Sequence, residues 1–496
     1  MMDRRSELRL VAFLALVAMV RVFVFSAAFP FFGINDEAFH MDLILKYARG
    51  YVPKPGNDRL EPESARLLAT FASPEYLTRP GEFPNGKVPP PVWHSLPPTA
   101  ASQNQLARTA GFWLTQRSIE AHSPPVYYKL GALWLKAGRG LGLWGLSLLY
   151  WTRFANVFLF GILVVVTFLL ARQWYPENRA VYLGAPMLMA LFPQDAFFTI
   201  NNDGLSAVFF ALTLLWLNSL ALARRPFYWY LGTGLLVGAT FLIKVINAIV
   251  VVPAAFYSAL LLWRARRENR VLPELGRCGL LWAASALLVG IWMAGNLHRF
   301  GDLTASNEKI ALLGWTRKPA SELLHHPFFS LEGFTFFWAE LFRTFWRGEQ
   351  LWGMKLMAFP STDAFYSGSS VLVLLAIVVL AFRQRESKEL LFVRLLCLCS
   401  ILAGAALLIY LSLLFDYGNC FRPSRRNPFF NAGRLILAVL VPFLCLYADT
   451  LAFLLGKITR RLNPLWGMGI LALAIFAIEL AAKAPIFSSQ YNFFAQ

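Results

Sequence analysis

The stretch GINDEAFHMD places Asp36, Glu37, His40 and Asp42 within ten positions, directly after about twenty apolar residues. On a helix starting near Asn35, Asp36 and His40 are four apart and Glu37 and His40 three apart, so they share a face. Two roles suit such a face. Asn35 caps the helix while Asp36 and Glu37 complement the positive end of its dipole, or one carboxylate projects into a cavity as a general base. Asp42 reads as solvated. A second polar stretch, QDAFFTINNDGLS, carries Asp195, Asn201, Asn202 and Asp203. Asp203 either caps a polar turn or lines the same cavity.

Two cations complement these acids. Lys244 lies in GLLVGATFLIKVINAIVVVP, between apolar runs with scarcely any loop. An unpaired Lys in hydrocarbon costs about 2.5 to 3.5 kcal/mol, so it needs a carboxylate from another helix, the interface, or a phosphate. Arg434 opens an apolar run in NPFFNAGRLILAVLVPF, just after RPSRR. Its planar guanidinium suits bidentate phosphate contact, or snorkels at a helix end. His122 in EAHSPP and Arg299 in GNLHRFGD complete the candidates. Asp36, Glu37, His40, His122 and Asp203 offer ligands for a metal. There is no His-Glu-x-x-His, and Ca2+ or Mg2+ needs about six oxygen donors. A divalent cation remains open, with no ligand set assigned.

The elements that must position these groups are apolar. Of 496 residues 57% are hydrophobic and 15% charged, with mean hydropathy +0.52, values that exclude a soluble globular domain. The chain reads as an all-α polytopic integral membrane protein. Its net charge of +18 comes from Lys and Arg in short blocks between apolar runs, with no basic stripe interleaved with aromatics, which argues against nucleic acid. Of five cysteines only Cys420 falls in a loop, so no disulfide framework exists.

Eleven apolar runs approach spanning length: 9–29, 148–171, 180–199, 204–222, 227–243, 245–263, 275–295, 368–382, 390–415, 435–455 and 464–485. The first, about 21 residues long, reads as an uncleaved helix rather than a signal peptide. With a cytoplasmic N-terminus, the inner loops are MMDRRSELR, ARQWYPENR, ARRP, RARRENR, FRQRESKE and GKITRR, all basic. Three long segments then face outward: 30–147, 296–367 and 416–433. This divides the chain into an N-terminal catalytic module over 1–295, an outer loop over 296–367 and C-terminal spans over 368–496. In the first outer segment, Phe39, Leu43, Ile44 and Tyr47 predict a helix lying on the membrane surface. The Pro-rich stretches PKPGND, RPGEFPNGKVPPPVW and LPPT predict loop through 51–110, and PPVYYKLGALWLKAG an interfacial or re-entrant segment. The sequence shows no inverted hydropathy repeat and no nucleotide-binding loop, which argues against a secondary transporter and an ATP-driven pump.

Taken in order, these motifs resemble those of bacterial membrane glycosyltransferases of the GT-C superfamily, close to the dolichyl-phosphate-mannose protein mannosyltransferase-like group. NDEAFHMDLILKYARGYVP resembles their Asp-Glu-x-x-His segment, EAHSPPVYY their His-x-Pro-Pro-x-Tyr-Tyr segment with Tyr128, and LFPQDAFFTINNDGLSAVFFAL their outer Asn-Asp turn. GLLVGATFLIKVIN, GNLHRFGD and NAGRLILAVLVPF follow their Thr-Lys, Arg-Asn-x-x-x-Gly-Asp and Gly-Arg-Tyr elements. Three departures stand out: Leu435 replaces Tyr, the Arg of LHRFGD is displaced, and FLIK lacks the Thr.

The resemblance implies a GT-C fold and transfer of a sugar from a polyprenyl-phosphate donor to a hydroxyl of a lipid, glycan or protein. It places the reaction on the periplasmic face of a bacterial inner membrane. Asp36 would be the general base, with Glu37 and Asp203 orienting acceptor or cation. Lys244, Arg434 and Arg299 would bind the donor phosphate, with His40, His122, Asn202 and Tyr128 in support. Two alternatives remain: a ligase or polymerase using a polyprenyl-diphosphate glycan, and a flippase or transporter of polyprenyl-linked sugars.

Overall fold

The computed structural model describes residues 3–33, 36–56, 58–79, 81–83, 88–94, 100–381, 387–420, 422–458 and 463–495. The chain is helical almost throughout. Ahead of a 30-residue helix come α1 (Arg4–Ala28), α2 (Glu37–Ala48), α3 (Pro62–Phe71), α4 (Ala100–Thr115) and α5 (Pro125–Gly140). Then follow α6 (Gly145–Trp174), α7 (Arg179–Ala190), α8 (Asp203–Leu222), α9 (Phe227–Phe241), α10 (Val251–Arg267) and α11 (Val271–Phe300). The remainder comprises α12 (Ser306–Leu313), α13 (Leu331–Arg347), α14 (Pro360–Ala381), α15 (Lys388–Leu414), α16 (Leu440–Ile458) and α17 (Pro464–Lys483).

Among the described residues nine helices are long and apolar enough to cross a membrane, fewer than the eleven apolar runs. The difference lies in the runs at 180–199 and 227–243, which fold as α7 and α9, of 12 and 15 residues. At about 1.5 Å per residue they reach only about 18 and 22 Å, short of the ~30 Å hydrocarbon core. Each continues as an apolar, non-helical turn: α7 stops ahead of Pro193, and α9 ahead of Lys244. Composition registers the run, but Pro and the polar turn decide where the helix stops.

The centre of the bundle is the segment Gly433–Lys457, 83% buried in its most apolar window, whereas α11 and the segment opening with α17 are each only 22% buried. Helices α6, α7 and α8 pack around α1 and α16, and α9 lies against α11. Charges inside the bundle are paired. Arg21 of α1 meets Glu479 of α17 at 2.6 Å, with Lys483 at 2.9 Å, and Arg394 of α15 meets Asp449 of α16 at 2.7 Å. Leaving one such charge unpaired costs several kcal/mol, so these contacts fix which helices are neighbours.

The segment 30–147 holds more helix than its prolines suggest. Within 51–110, α3 begins with Pro62 at its first turn, where no amide hydrogen is needed, and packs on α4. The helix expected after Asp36 forms as α2, yet it does not lie on a surface. Met41, Leu43, Ile44 and Leu45 are all buried, with α5 and α6 elements closing over them. Asp42 is buried rather than solvated: it pairs with Lys46 at 2.8 Å and accepts from the Glu61 amide at 2.9 Å.

Candidate active site

Five chain segments converge on Arg434. A Cβ at Gly433 would strike the backbone of Leu341 and Phe345, so glycine lets the chain lie directly against α13 and carries Arg434 to the end of that helix. From there the guanidinium reaches Asp36 at 2.9 Å, Glu349 at 3.2 Å and Asp203 at 3.4 Å. Lys244 takes the other oxygen of Asp203 at 2.5 Å. Asp203 is 1% exposed, Glu349 14% and Asp36 30%, so Asp36 is the most accessible of the three carboxylates. Of the partners Lys244 required, the structure supplies a carboxylate.

Local backbone explains each placement. Asp36 has φ of 59°, in the left-handed region, immediately before α2. Aspartate tolerates this conformation better than most residues, and non-glycine residues held there concentrate at functional sites. The Asp36 carbonyl accepts from the amides of Phe39 and His40 and so starts the helix. Asn35, expected as its cap, lies outside the described residues. Asp203 is the first residue of α8, its amide donating to the Asn201 side chain at 2.9 Å. Asn202 reaches the carbonyl of Ile243 at 3.5 Å, next to Lys244.

Glu37 sits elsewhere than expected. It is fully buried, bonded to Arg153 at 2.7 and 2.9 Å, and accepts from the amides of Phe32 and Ile200 at 2.9 Å each. Arg153 in turn binds the carbonyls of Ser26, Phe29 and Pro30. Both carboxylate oxygens are thus occupied in fastening the chain between α1 and α2 to α6. His122 bonds the Lys54 carbonyl at 3.1 Å and packs edge-on to Phe300. Arg299 is exposed and donates to Gly295 within its own helix at 2.9 Å. Neither bonds to the Arg434 cluster among the described residues.

His40 and Tyr128 meet each other. His40 Nδ1 lies 2.9 Å from the Tyr128 hydroxyl, which donates to Glu120 at 3.2 Å. Glu120 also takes Lys309 at 2.7 Å, and its carboxylate accepts from Ser123. Burial raises the Glu120 carboxyl, but Lys309 and the hydrogen bonds outweigh it and hold the group well below the usual carboxylate range. Burial lowers His40 below the ordinary imidazole value in spite of the nearby acids Glu120, Asp36 and Asp203.

Sequence reasoning missed Glu349, Glu120, Lys309 and Arg153. Glu349 had one signal, the glycine before it. Gly348 has φ of +83°, and a Cβ there would strike the Asp195 carboxylate. That carboxylate accepts from the amides of Glu349 and Gln350 at 2.8 Å each, pinning the segment after α13 beside Arg434. Arg422 stands 3.9 Å from Glu349 at the rim. Among the described residues, no group of three His, Cys, Asp or Glu side chains is placed to hold a metal ion.

Residues 148–292 match the family described as dolichyl-phosphate-mannose-protein mannosyltransferase. The matched stretch, under a third of the chain, includes Arg153, Asp203 and Lys244. Among solved structures, the chain is similar to the Archaeoglobus fulgidus oligosaccharyltransferase solved with Zn and sulfate, with 13% identity and a TM-score of 0.43 over 96% of this chain and 52% of that one. It is also similar to the archaeal oligosaccharyltransferase AglB from Archaeoglobus fulgidus, in complex with an inhibitory peptide and a dolichol-phosphate. There the identity is 13% and the TM-score 0.42, over 97% of this chain and 55% of that one. The chain therefore spans about half the length of these structures. No curated protein matches it.

Proposed function

We propose that this protein transfers a sugar from a polyprenyl-phosphate carrier to a hydroxyl acceptor at the outer face of the membrane, with inversion at the anomeric carbon. The observation that carries the reading is the Arg434 guanidinium, shared between the accessible Asp36 and the buried, Lys244-bound Asp203. Base-assisted displacement needs these two groups side by side: an acceptor for a proton and fixed positive charge for a departing phosphate.

In the reaction, Asp36 takes the proton of the acceptor hydroxyl. The acceptor oxygen bonds to the anomeric carbon from the face opposite the carrier, as in base-assisted inversion at a sugar centre. The bond from that carbon to the phosphate oxygen breaks, and the polyprenyl phosphate leaves with the electron pair. Lys244 and Arg434 neutralise the charge gathering on it. Asp203 positions both cations, Glu349 steadies Arg434 through its Nε, and Glu37 with Arg153 holds the turn that carries Asp36. His40, Tyr128 and Glu120 brace α2 from behind. Because the donor arrives activated as a phosphate ester, no nucleotide sugar is required at this site.

The test is direct. Purified protein is incubated with a panel of radiolabelled polyprenyl-phosphate sugars and a membrane lipid extract, and the label is followed to its new attachment. Transfer from a monophosphate carrier that disappears in Asp36→Asn supports the reading. Label moving only from a diphosphate-linked glycan, or an intact donor crossing the membrane with Asp36→Asn still active, would replace it with a ligase or a flippase.

A further inference from the structure

At the opposite end of α2 from Asp36, α3 and the junction of α5 with α6 enclose an open groove of about 480 Å3 that the proposed reaction does not use. Its polar wall consists of Arg49, Arg66, Arg139 and Glu63, and its apolar wall includes Phe71 and Trp144. Glu63 is shared: it pairs with Arg49 and, at 2.7 Å, with Arg139. Arg66 is exposed, donates only to the Pro62 carbonyl of its own helix at 3.3 Å, and pairs with no carboxylate among the described residues. Among the described residues the buried Arg139 Nε has no hydrogen-bond partner, and its guanidinium lies over the Trp144 ring at 5.8 Å. The groove thus presents surplus positive charge and an unfilled donor beside an aromatic wall.

Its position narrows the occupant. Trp144 is the residue before α6, a helix of membrane-spanning length, and is 64% exposed. On the adjoining α5 and its turn, Leu133 is 64% and Leu141 68% exposed. A tryptophan at the end of a spanning helix, near exposed leucines and beside arginines, fits the boundary between acyl chains and headgroups. We propose that this groove binds the phosphate headgroup of an anionic membrane lipid, with the phosphate on Arg66 and Arg139 and the glycerol and upper acyl carbons along Trp144 and Phe71. The bound lipid wedges α3 against the α5–α6 junction and so sets the depth at which the first outer segment rests on the bilayer.

Native mass spectrometry of the full-length protein, delipidated and titrated with phosphatidylglycerol or phosphatidylcholine, reads this out. Wild-type protein is expected to retain one phosphatidylglycerol in preference to phosphatidylcholine. Arg66→Gln should lower that affinity about fivefold, from a contribution of ~1 kcal/mol per interfacial Arg, and Arg66→Lys should restore most of it. Trp144→Ala should weaken both lipids alike. Arg66 is exposed and makes no tertiary bond among the described residues, so its variants test the site without threatening the fold. Equal retention of the two lipids, or phosphatidylglycerol binding indifferent to Arg66→Gln, overturns the proposal. So does displacement of the lipid by millimolar inorganic phosphate, which would make the groove a site for the free anion.

Discussion

Arg434 and Asp36 stand 398 positions apart in the chain and meet at 2.9 Å, with Asp203 and Glu349 on the remaining edges of the same guanidinium. The arrangement has a consequence for catalysis. In the proposed reaction, a donor phosphate on Arg434 would compete with Asp36 for it, and the carboxylate released would be the proposed base. Under the proposed reaction, donor binding and unmasking of the base would be one event, and the expected order is donor before acceptor.

Asp36→Asn is nearly isosteric and removes both the base and the competing charge. Turnover should fall about 100- to 10,000-fold, the usual contribution of a general base, while the donor binds as tightly as in wild type or more so. Single-turnover kinetics together with direct donor binding separate the two effects. Weaker donor binding in this variant would show that Asp36 does not compete for Arg434.

Arg434→Lys keeps the charge but cannot span three carboxylates, because an ammonium lacks the planar fork. The protein should fold, and the donor KM should rise about tenfold or more, as loss of one charge-assisted bond of about 1.5 to 3 kcal/mol implies. Arg434→Ala, which leaves Asp203 with Lys244 alone, should lower thermal stability as well. Steady-state kinetics against donor concentration, with a melting curve for each variant, checks both statements.

Glu37→Gln tests the anchoring role read from the structure. Removing one member of a fully buried pair costs about 3 to 5 kcal/mol because the partner is left uncompensated. The melting temperature should therefore drop, and activity should follow the folded fraction. A variant as stable as wild type with turnover abolished would return Glu37 to the catalytic group.

The buried His40 gives a pH dependence whose sign follows from its lowered pKa. The unfolded chain, with an imidazole pKa of about 6.5, binds a proton that the folded state resists. Stability from this residue is fully present above about 6.5 and declines as the pH falls below it toward the folded value. The acidic partner Glu120 adds its own loss only at lower pH, as the solution passes below the unfolded carboxyl value of about 4.3. Melting temperatures between pH 7.5 and 5 should fall, and His40→Gln should flatten part of that slope. An unchanged slope would mean that His40 is not what titrates.

Much of this was legible in the chain because it rests on local chemistry. The apolar runs, a Lys244 that needs an anion, and the polar breaks that carry Asp36, Asp203 and Arg434 follow from residue type and neighbours. The family match over 148–292 bears out the resemblance read from the motifs. Other features were not legible, since partners distant in sequence decide them. Glu37 and Asp36 are adjacent, yet Arg153 buries one while the other stays 30% exposed beside Arg434. Asp42 read as solvated until Lys46 and the Glu61 amide closed over it. Prolines in 51–110 hid α3, because a proline at the first turn starts a helix as readily as it stops one.

By itself the sequence determined that the chain lives in a membrane, where the polar breaks between its apolar runs fall, and which charges those breaks expose. Hydrophobic transfer and the cost of unpaired charge act residue by residue, so no partner need be known. Tertiary structure alone decided which carboxylate meets which cation. Glu349 reaches Arg434 only because Gly348 lets the chain turn against Asp195, and Glu120 reaches His40 only through Tyr128. Such pairings hold over a few ångströms between residues up to hundreds of positions apart. Packing of the helices, rather than any local pattern, brings them within range.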